Sequence, residues 1–299
     1  MSEAYHIPAL FQETIAGLCV QPAGVYVDAT FGGGGHSRGI LEQLGPQGHL
    51  YGFDQDLDAR SNSIDDDRFT FVRSNFRYLS NFMRYYGVEQ LDGLLADLGV
   101  SFHHFDAAGR GFSFRFQGPI DMRMNQRAEH SAADILNQYS EQQLADVFYL
   151  YGELRQSRQM ARAIVRRRSE APLQTTGQLV ETLQPFCGRD KEKKDLTRAF
   201  QALRIEVNHE LDALKEMLQQ AATLIRPGGR IAILTYHSLE DRLVKNFLRS
   251  GNFEGRVQKD FYGNPIGPWI TDKDITPGAA ETERNPRSRS ARLRTATRR

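Results

Sequence analysis

Val25-Tyr26-Val27-Asp28-Ala29-Thr30-Phe31-Gly32-Gly33-Gly34-Gly35-His36-Ser37 is an apolar alternating run that ends in an acid, passes through four glycines and reaches a serine able to cap a helix. Glycines after a strand let a backbone approach a ligand, because no Cβ intervenes. The helix start behind them offers free N–H groups and partial positive charge. Leu50-Tyr51-Gly52-Phe53-Asp54 repeats the pattern of a short strand ending in an acid. Asp54 falls near the ~20-residue offset at which an acid accepts hydrogen bonds from a ribose. Asp97 ends a further apolar run, Leu91–Val100. Ligands of such sheets bind at the carboxyl ends of the strands, so Asp28, Asp54 and Asp97 are expected to converge there. Each alone could merely cap a turn.

Working outward, strand-like segments at 25–29, 49–54, 69–73 and 91–100 alternate with helical ones, which argues an α/β fold with a parallel sheet. The alternation stops near His104. Residues 104–118 are rich in Gly, Phe and Arg, and 131–187 read as helix throughout. Ser131-x-x-Asp134, Ser140-x-x-Gln143 and Thr175-x-x-Gln178 resemble capping boxes. Leu203, Val207, Leu211, Leu214, Leu218, Ala221 and Ile225 form one apolar stripe, predicting a single long helix stopped by Pro227-Gly228-Gly229. The sheet resumes at Arg230–Tyr236, and a helix capped by Ser238 follows. From Arg284 on there are seven arginines and no acid: a disordered basic arm or a segment docked by its arginines.

Composition is that of an ordinary globular chain: 299 residues, 40% hydrophobic, 25% charged, formal net charge +1. A polyanionic partner would have to be met by a local patch. Cys19 and Cys187 are the two cysteines, in no metal-ligand spacing, so no metal site is expected. No leader pattern and no apolar run near the ~20 residues of a membrane span are visible, giving the expectation of a cytoplasmic protein without membrane contact.

The glycine loop does not have the Gly-x-Gly-x-x-Gly form, and an acid beside it suits a cationic sulfonium cofactor better than a pyrophosphate. His237, Ser238 and Asp241 lie too close together to make a hydrolytic triad, and no Gly-x-Ser-x-Gly elbow is present.

The longer strings carry a specific resemblance. Val27-Asp28-Ala29-Thr30-Phe31-Gly32-x-Gly34-Gly35-His36-Ser37, Asp97-Leu98-Gly99-Val100-Ser101, Arg110-Gly111-Phe112-Ser113-Phe114 and Gly118-Pro119-Ile120-Asp121-Met122-Arg123-Met124 are joined by Phe200-Gln201-Ala202-Leu203-Arg204-Ile205, His237-Ser238-Leu239-Glu240-Asp241-Arg242 and Asn285-Pro286-Arg287-Ser288-Arg289-Ser290-Ala291. Together they resemble the ribosomal RNA small-subunit methyltransferase H family, the 16S rRNA cytosine-N4 methyltransferases, over nearly the whole chain. The resemblance implies a Rossmann-like methyltransferase sheet formed by 1–104 and 197–299, and a mainly helical insert, 105–196, for RNA-substrate recognition. It implies S-adenosyl-L-methionine as cofactor and a decoding-region cytidine of 16S rRNA, within the small ribosomal subunit, as substrate. Its cofactor contacts fall on Gly34, Gly35, His36, Asp54, Phe76, Asp97 and His104; many relatives carry Gln at the last position. A homodimer stays open, since oligomeric state is not fixed by sequence.

The exocyclic amine of cytosine is a weak nucleophile, so an acceptor beside its N–H would help. Asp121 is the candidate catalytic residue, with a salt bridge to Arg123 or Arg110 as the structural alternative. Carbon methylation at C5 needs a cysteine nucleophile, commonly after proline, and neither Leu18-Cys19 nor Phe186-Cys187 fits. Phe102, Phe105, Phe112, Phe114 and Phe116, interleaved with Arg110 and Arg115, could stack bases or pack a loop. Arg162, Arg166, Arg167 and Arg168 could meet phosphates. The competing readings are an NAD-dependent oxidoreductase and a non-catalytic ribosome-assembly factor.

Overall fold

A computed structural model describes residues 8–99, 107–263 and 266–299. The chain forms two compact units, 1–99 with 211–299, and 100–210. The first holds a seven-stranded sheet: β1 (Val25–Asp28), β2 (His49–Asp54), β3 (Phe69–Arg73), β4 (Leu91–Asp97), β5 (Ile225–Thr235), β6 (Trp269–Thr271) and β7 (Arg292–Arg298). Their order is β3-β2-β1-β4-β5-β7-β6. The first five are parallel, and β7 runs antiparallel to both β5 and β6.

The expected α/β, Rossmann-like sheet is therefore present, and the sequence shows why it is covered on both faces. Leu94, Leu95 and Ala96 of β4 are all fully buried, as are Ile231, Ala232, Ile233 and Leu234 of β5. Continuous apolar runs of this kind need a helical layer on each side. One face packs with α3 (Leu79–Tyr85) through Leu79 and Met83, and with the helix Glu210–Leu224 through Leu214, Met217 and Leu218. The other packs with α1 (Phe11–Leu18) and α2 (Gly35–Leu41) through Ile15, Leu18, Ile40 and Leu41. Each such side chain contributes about 1.5–3 kcal/mol on burial. The strand order reverses between β2 and β4 on either side of β1, which opens a crevice beyond the carboxyl ends of those strands.

The second unit is helical: α4 (Ala132–Gln138), α5 (Glu141–Leu150), α6 (Ser157–Glu170), α7 (Thr176–Leu183) and α8 (Glu192–Asn208). Ser131, Ser140 and Thr175 close the three expected capping boxes. The boundary differs from 196/197. Leu196, Ala199, Phe200, Leu203 and Val207 of α8 pack with Phe112, Leu136 and Phe148, so the whole helix belongs to this unit.

The single long helix expected over 203–225 is two. His209 adopts a left-handed conformation, φ 49°, between α8 and α9 (Glu210–Leu224). The break is bridged by Arg204, whose Nε and Nη2 donate to the Glu210 carboxylate at 2.8 and 2.9 Å. The apolar stripe is continuous in sequence but serves two cores. The basic tail is docked. Within β7, Arg294 pairs with Asp241 at 2.7 Å, Arg292 with Asp274 at 2.8 Å, and Arg298 lies over the Trp269 ring. The next helix, α10 (Ser238–Ser250), is capped by His237 rather than Ser238: the His237 Nδ1 accepts from Glu240 N.

Candidate cofactor site

The carboxyl ends of β1, β2 and β4 bring Asp28, Asp54 and Asp97 to one edge of the sheet, with the glycine turn between them. The three acids do different work. Asp28 is fully enclosed: Ser37 Oγ donates to it at 2.7 Å and Thr30 N at 3.0 Å. Burial raises its pKa, with Ser37 pulling the other way. It braces the loop from beneath and has no surface for a ligand.

Asp54 is half-buried. Its Oδ2 accepts from Gly32 N at 2.9 Å and its Oδ1 from Asp56 N at 2.8 Å. These bonds orient the Asp54 carboxylate at the strand end. Phe76 follows β3 in a short 3-10 turn, half-buried against the sheet core.

Asp97 ends β4 with a quarter of its side chain exposed. Tyr236, the residue after β5, donates its hydroxyl to Asp97 Oδ1 at 2.7 Å, and His36 Nδ1 lies 3.6 Å from Oδ2. Thr30 Oγ1 accepts from Asp97 N at 2.6 Å, tying the strand end to the glycine turn. Burial pushes the Asp97 carboxyl up to about 7, opposed by the Tyr236 hydrogen bond. Burial lowers the pKa of His36 and so favours its neutral form.

Asp97 has a stability consequence. Its folded pKa lies above the unfolded value of 3.8, so the folded chain retains a proton that the unfolded chain has released. That contribution is present below the unfolded value and is lost as pH rises toward the folded one. Neutral His36 acts oppositely, below its ordinary 6.5. Asp97→Asn isolates the first effect. Its melting temperature should gain on that of the unmodified protein as pH rises from about 4 to 7. A pH-independent difference between the two would refute the assignment.

The four glycines differ in what holds them. Gly32 and Gly34 have φ of +51° and +73°, conformations that L side chains rarely adopt. A Cβ on Gly35 would lie 2.4 Å from Pro8, whereas one on Gly33 would meet nothing within 4 Å. Gly33 therefore faces open space, while Gly34 and Gly35 shape and seat the loop.

His104, Phe102 and Phe105 lie outside the described residues. Asp121 belongs to the second unit, held bidentately by Arg123 at 2.9 and 2.7 Å. Burial pushes its pKa up, but the Arg123 hydrogen bonds and charge outweigh this and leave it lowered. The salt-bridge alternative is what the structure displays, and it makes Asp121 a weak proton acceptor. Arg110 is buried and donates to the Arg123 and Met124 carbonyls. Phe112 is buried too, Phe114 packs on Phe200 with ring centroids 5.5 Å apart, and Phe116 is exposed. Among the described residues of that string, Arg110, Phe112 and Phe114 are packed and Arg115 and Phe116 are exposed.

Sequence reasoning missed Thr30, Ser37 and Tyr236 as supports. Tyr236 had a signal: it ends the strand expected at Arg230–Tyr236, two residues past Leu234, which pairs with Asp97.

The sequence pattern of the MraW methylase family matches residues 3–299. Ribosomal RNA small subunit methyltransferase H of Parabacteroides distasonis is 61% identical over 295 residues, 98% of this chain and 97% of the relative. The protein of the same name from Phocaeicola vulgatus is 58% identical over 304 residues, the whole of both chains. Among solved structures, an rRNA methylase from Streptococcus thermophilus has a TM-score of 0.44 and 10% identity, covering 99% of each chain. The chain belongs to the MraW methylase family.

Proposed function

We propose that the protein transfers a methyl group from S-adenosyl-L-methionine to the N4 amine of a cytidine in the decoding region of 16S rRNA. The observation that carries the cofactor reading is the edge formed by Asp54 and Asp97 around an open Gly33. Carboxylates facing such a cleft attract a ligand bearing an ammonium and a sulfonium, and repel a pyrophosphate. When bound, this cofactor supplies an electrophilic methyl group. Asp54 would accept the ribose hydroxyls, Phe76 would pack on the base, and Gly33 would admit the ligand to the backbone. Asp97, fixed by Tyr236 and Thr30, would supply an acceptor whose charge varies near neutral pH.

The rRNA substrate follows from family membership and from the names of relatives at 58–61% identity. Nitrogen as the acceptor atom is favoured by the cysteines. Burial raises the Cys187 thiol to about 11, so little thiolate is present for attack on a ring carbon. Cys19 lines a cleft with Tyr26 and Asp92, near the amino ends of β1 and β4 and away from the acids. The helical unit is assigned to substrate RNA, and the protein to the cytoplasm. No helix among the described residues is long and apolar enough to cross a membrane.

The test is to map methylated cytidines in small-subunit rRNA from cells with and without the protein, then restore the mark in vitro with labelled cofactor. One N4-methylcytidine should vanish and return. A mark at ring carbon, or none, would overturn the assignment.

A further inference from the structure

The first unit carries, over 242–262, exposed cationic and aromatic side chains that the cofactor site does not use. Arg242, Lys245 and Arg249 of α10 fall at i, i+3 and i+7, on one helix face, and all are exposed. Arg256 and Lys259 follow in the connection to β6, also exposed. None of the five has an acidic partner among the described residues. Over 242–262 the only acids are Glu254 and Asp260, and the side chain of Asp260 accepts from Tyr262 N at 2.9 Å.

That turn lifts two rings into solvent. Phe261 is 98% exposed and Tyr262 86%, with ring centroids 5.7 Å apart and planes at 88°. The segment is anchored. Gly263 N donates to Asp260 O at 3.0 Å, and Ile266 N to Gln258 O at 2.7 Å. Phe253 stacks on Phe247 at 5.0 Å, and Asn252 holds the Arg256 backbone through both amide atoms. The described residues on either side are thus held by backbone hydrogen bonds, while the two aromatic rings stay unburied.

We propose that this surface docks a single-stranded stretch of the substrate RNA, with Arg242, Lys245 and Arg249 on its phosphates and Phe261 or Tyr262 stacked on a base. The inference rests on the rRNA reading above. Unpaired cations leading to bare π-faces is the combination by which proteins hold single strands without reading sequence. A second copy of the chain would need an apolar patch without a row of unpaired like charges beside it.

The experiment measures binding of a fluorescein-labelled single-stranded oligoribonucleotide, and of a duplex of equal length, to the full chain without cofactor. Phe261→Ala/Tyr262→Ala should weaken single-strand binding on the order of 5- to 150-fold, as expected for one stacked base, and leave duplex binding nearly unchanged. Arg242→Gln/Lys245→Gln/Arg249→Gln should flatten the slope of log affinity against log salt by about 2, at roughly 0.7 per lost phosphate contact. Both variants are surface changes, and circular dichroism checks their folding. Affinities within twofold of the unmodified protein would overturn the proposal. So would an aromatic variant whose only change is loss of self-association in sedimentation. A protein that binds RNA through this surface yet transfers no methyl group would refute the function above and leave the docking surface standing.

Discussion

Asp54→Ala should lower affinity for S-adenosylhomocysteine by about a hundredfold or more, read by titration calorimetry. Two losses combine. In the proposed role of Asp54 the ribose hydroxyls would lose a charged acceptor, and such hydrogen bonds contribute roughly 1.5–3 kcal/mol each. The glycine turn loses the carboxylate that accepts from Gly32 N, so its backbone is no longer held in place. Asp54→Asn keeps one acceptor oxygen for Gly32 and should lose less. Unchanged affinity in Asp54→Ala, with an intact circular dichroism spectrum, would remove the end of β2 from the site.

Arg204→Ala should destabilise the helical unit by about 3 kcal/mol or more. Arg204 and Glu210 are each about 10% exposed, and removing one partner leaves the other charge uncompensated. The pair also clamps the left-handed turn at His209. Urea unfolding followed by far-ultraviolet circular dichroism checks this. The single tryptophan, Trp269, lies in β6 of the other unit and reports it separately. Replacing both partners, Arg204→Met with Glu210→Leu, should recover most of the loss, because the pair is costly to desolvate. If Arg204→Ala unfolds like the unmodified protein, the bridge contributes nothing.

The site edge was legible because β1, β2 and β4 are each short, apolar and closed by an acid. Periodicity and the parallel-sheet rule then place their ends together. The different uses of those acids were not legible. Asp28 and Asp54 look alike in sequence, yet Ser37 and Thr30 close over the first alone. The capping boxes were legible because their chemistry is local. The break at His209 was not, since a histidine in left-handed conformation leaves no mark and the apolar stripe runs straight through it. Nor was β7: Arg292-Leu293-Arg294-Thr295-Ala296-Thr297-Arg298 alternates, but its arginines masked a strand whose long side chains reach Asp241, Asp274 and Trp269. Exposed Phe261 and Tyr262 were also hidden, because exposure of an aromatic pair is a property of the fold.

The strand order also dictates a schedule. β1 to β4 pair with one another using residues before position 99, but Asp97 meets Leu234 across the entire helical unit. β7 then needs β5, and β6 needs β7. Closing a long loop costs entropy that grows only logarithmically with its length, but the cost precedes the contacts that repay it. Assembly of this sheet is therefore expected to begin among β1–β4, whose pairings are local, and to finish with β7 and β6. In that order Tyr236 reaches Asp97 only after β5 has joined β4, so the hydrogen bond between them is expected late in folding.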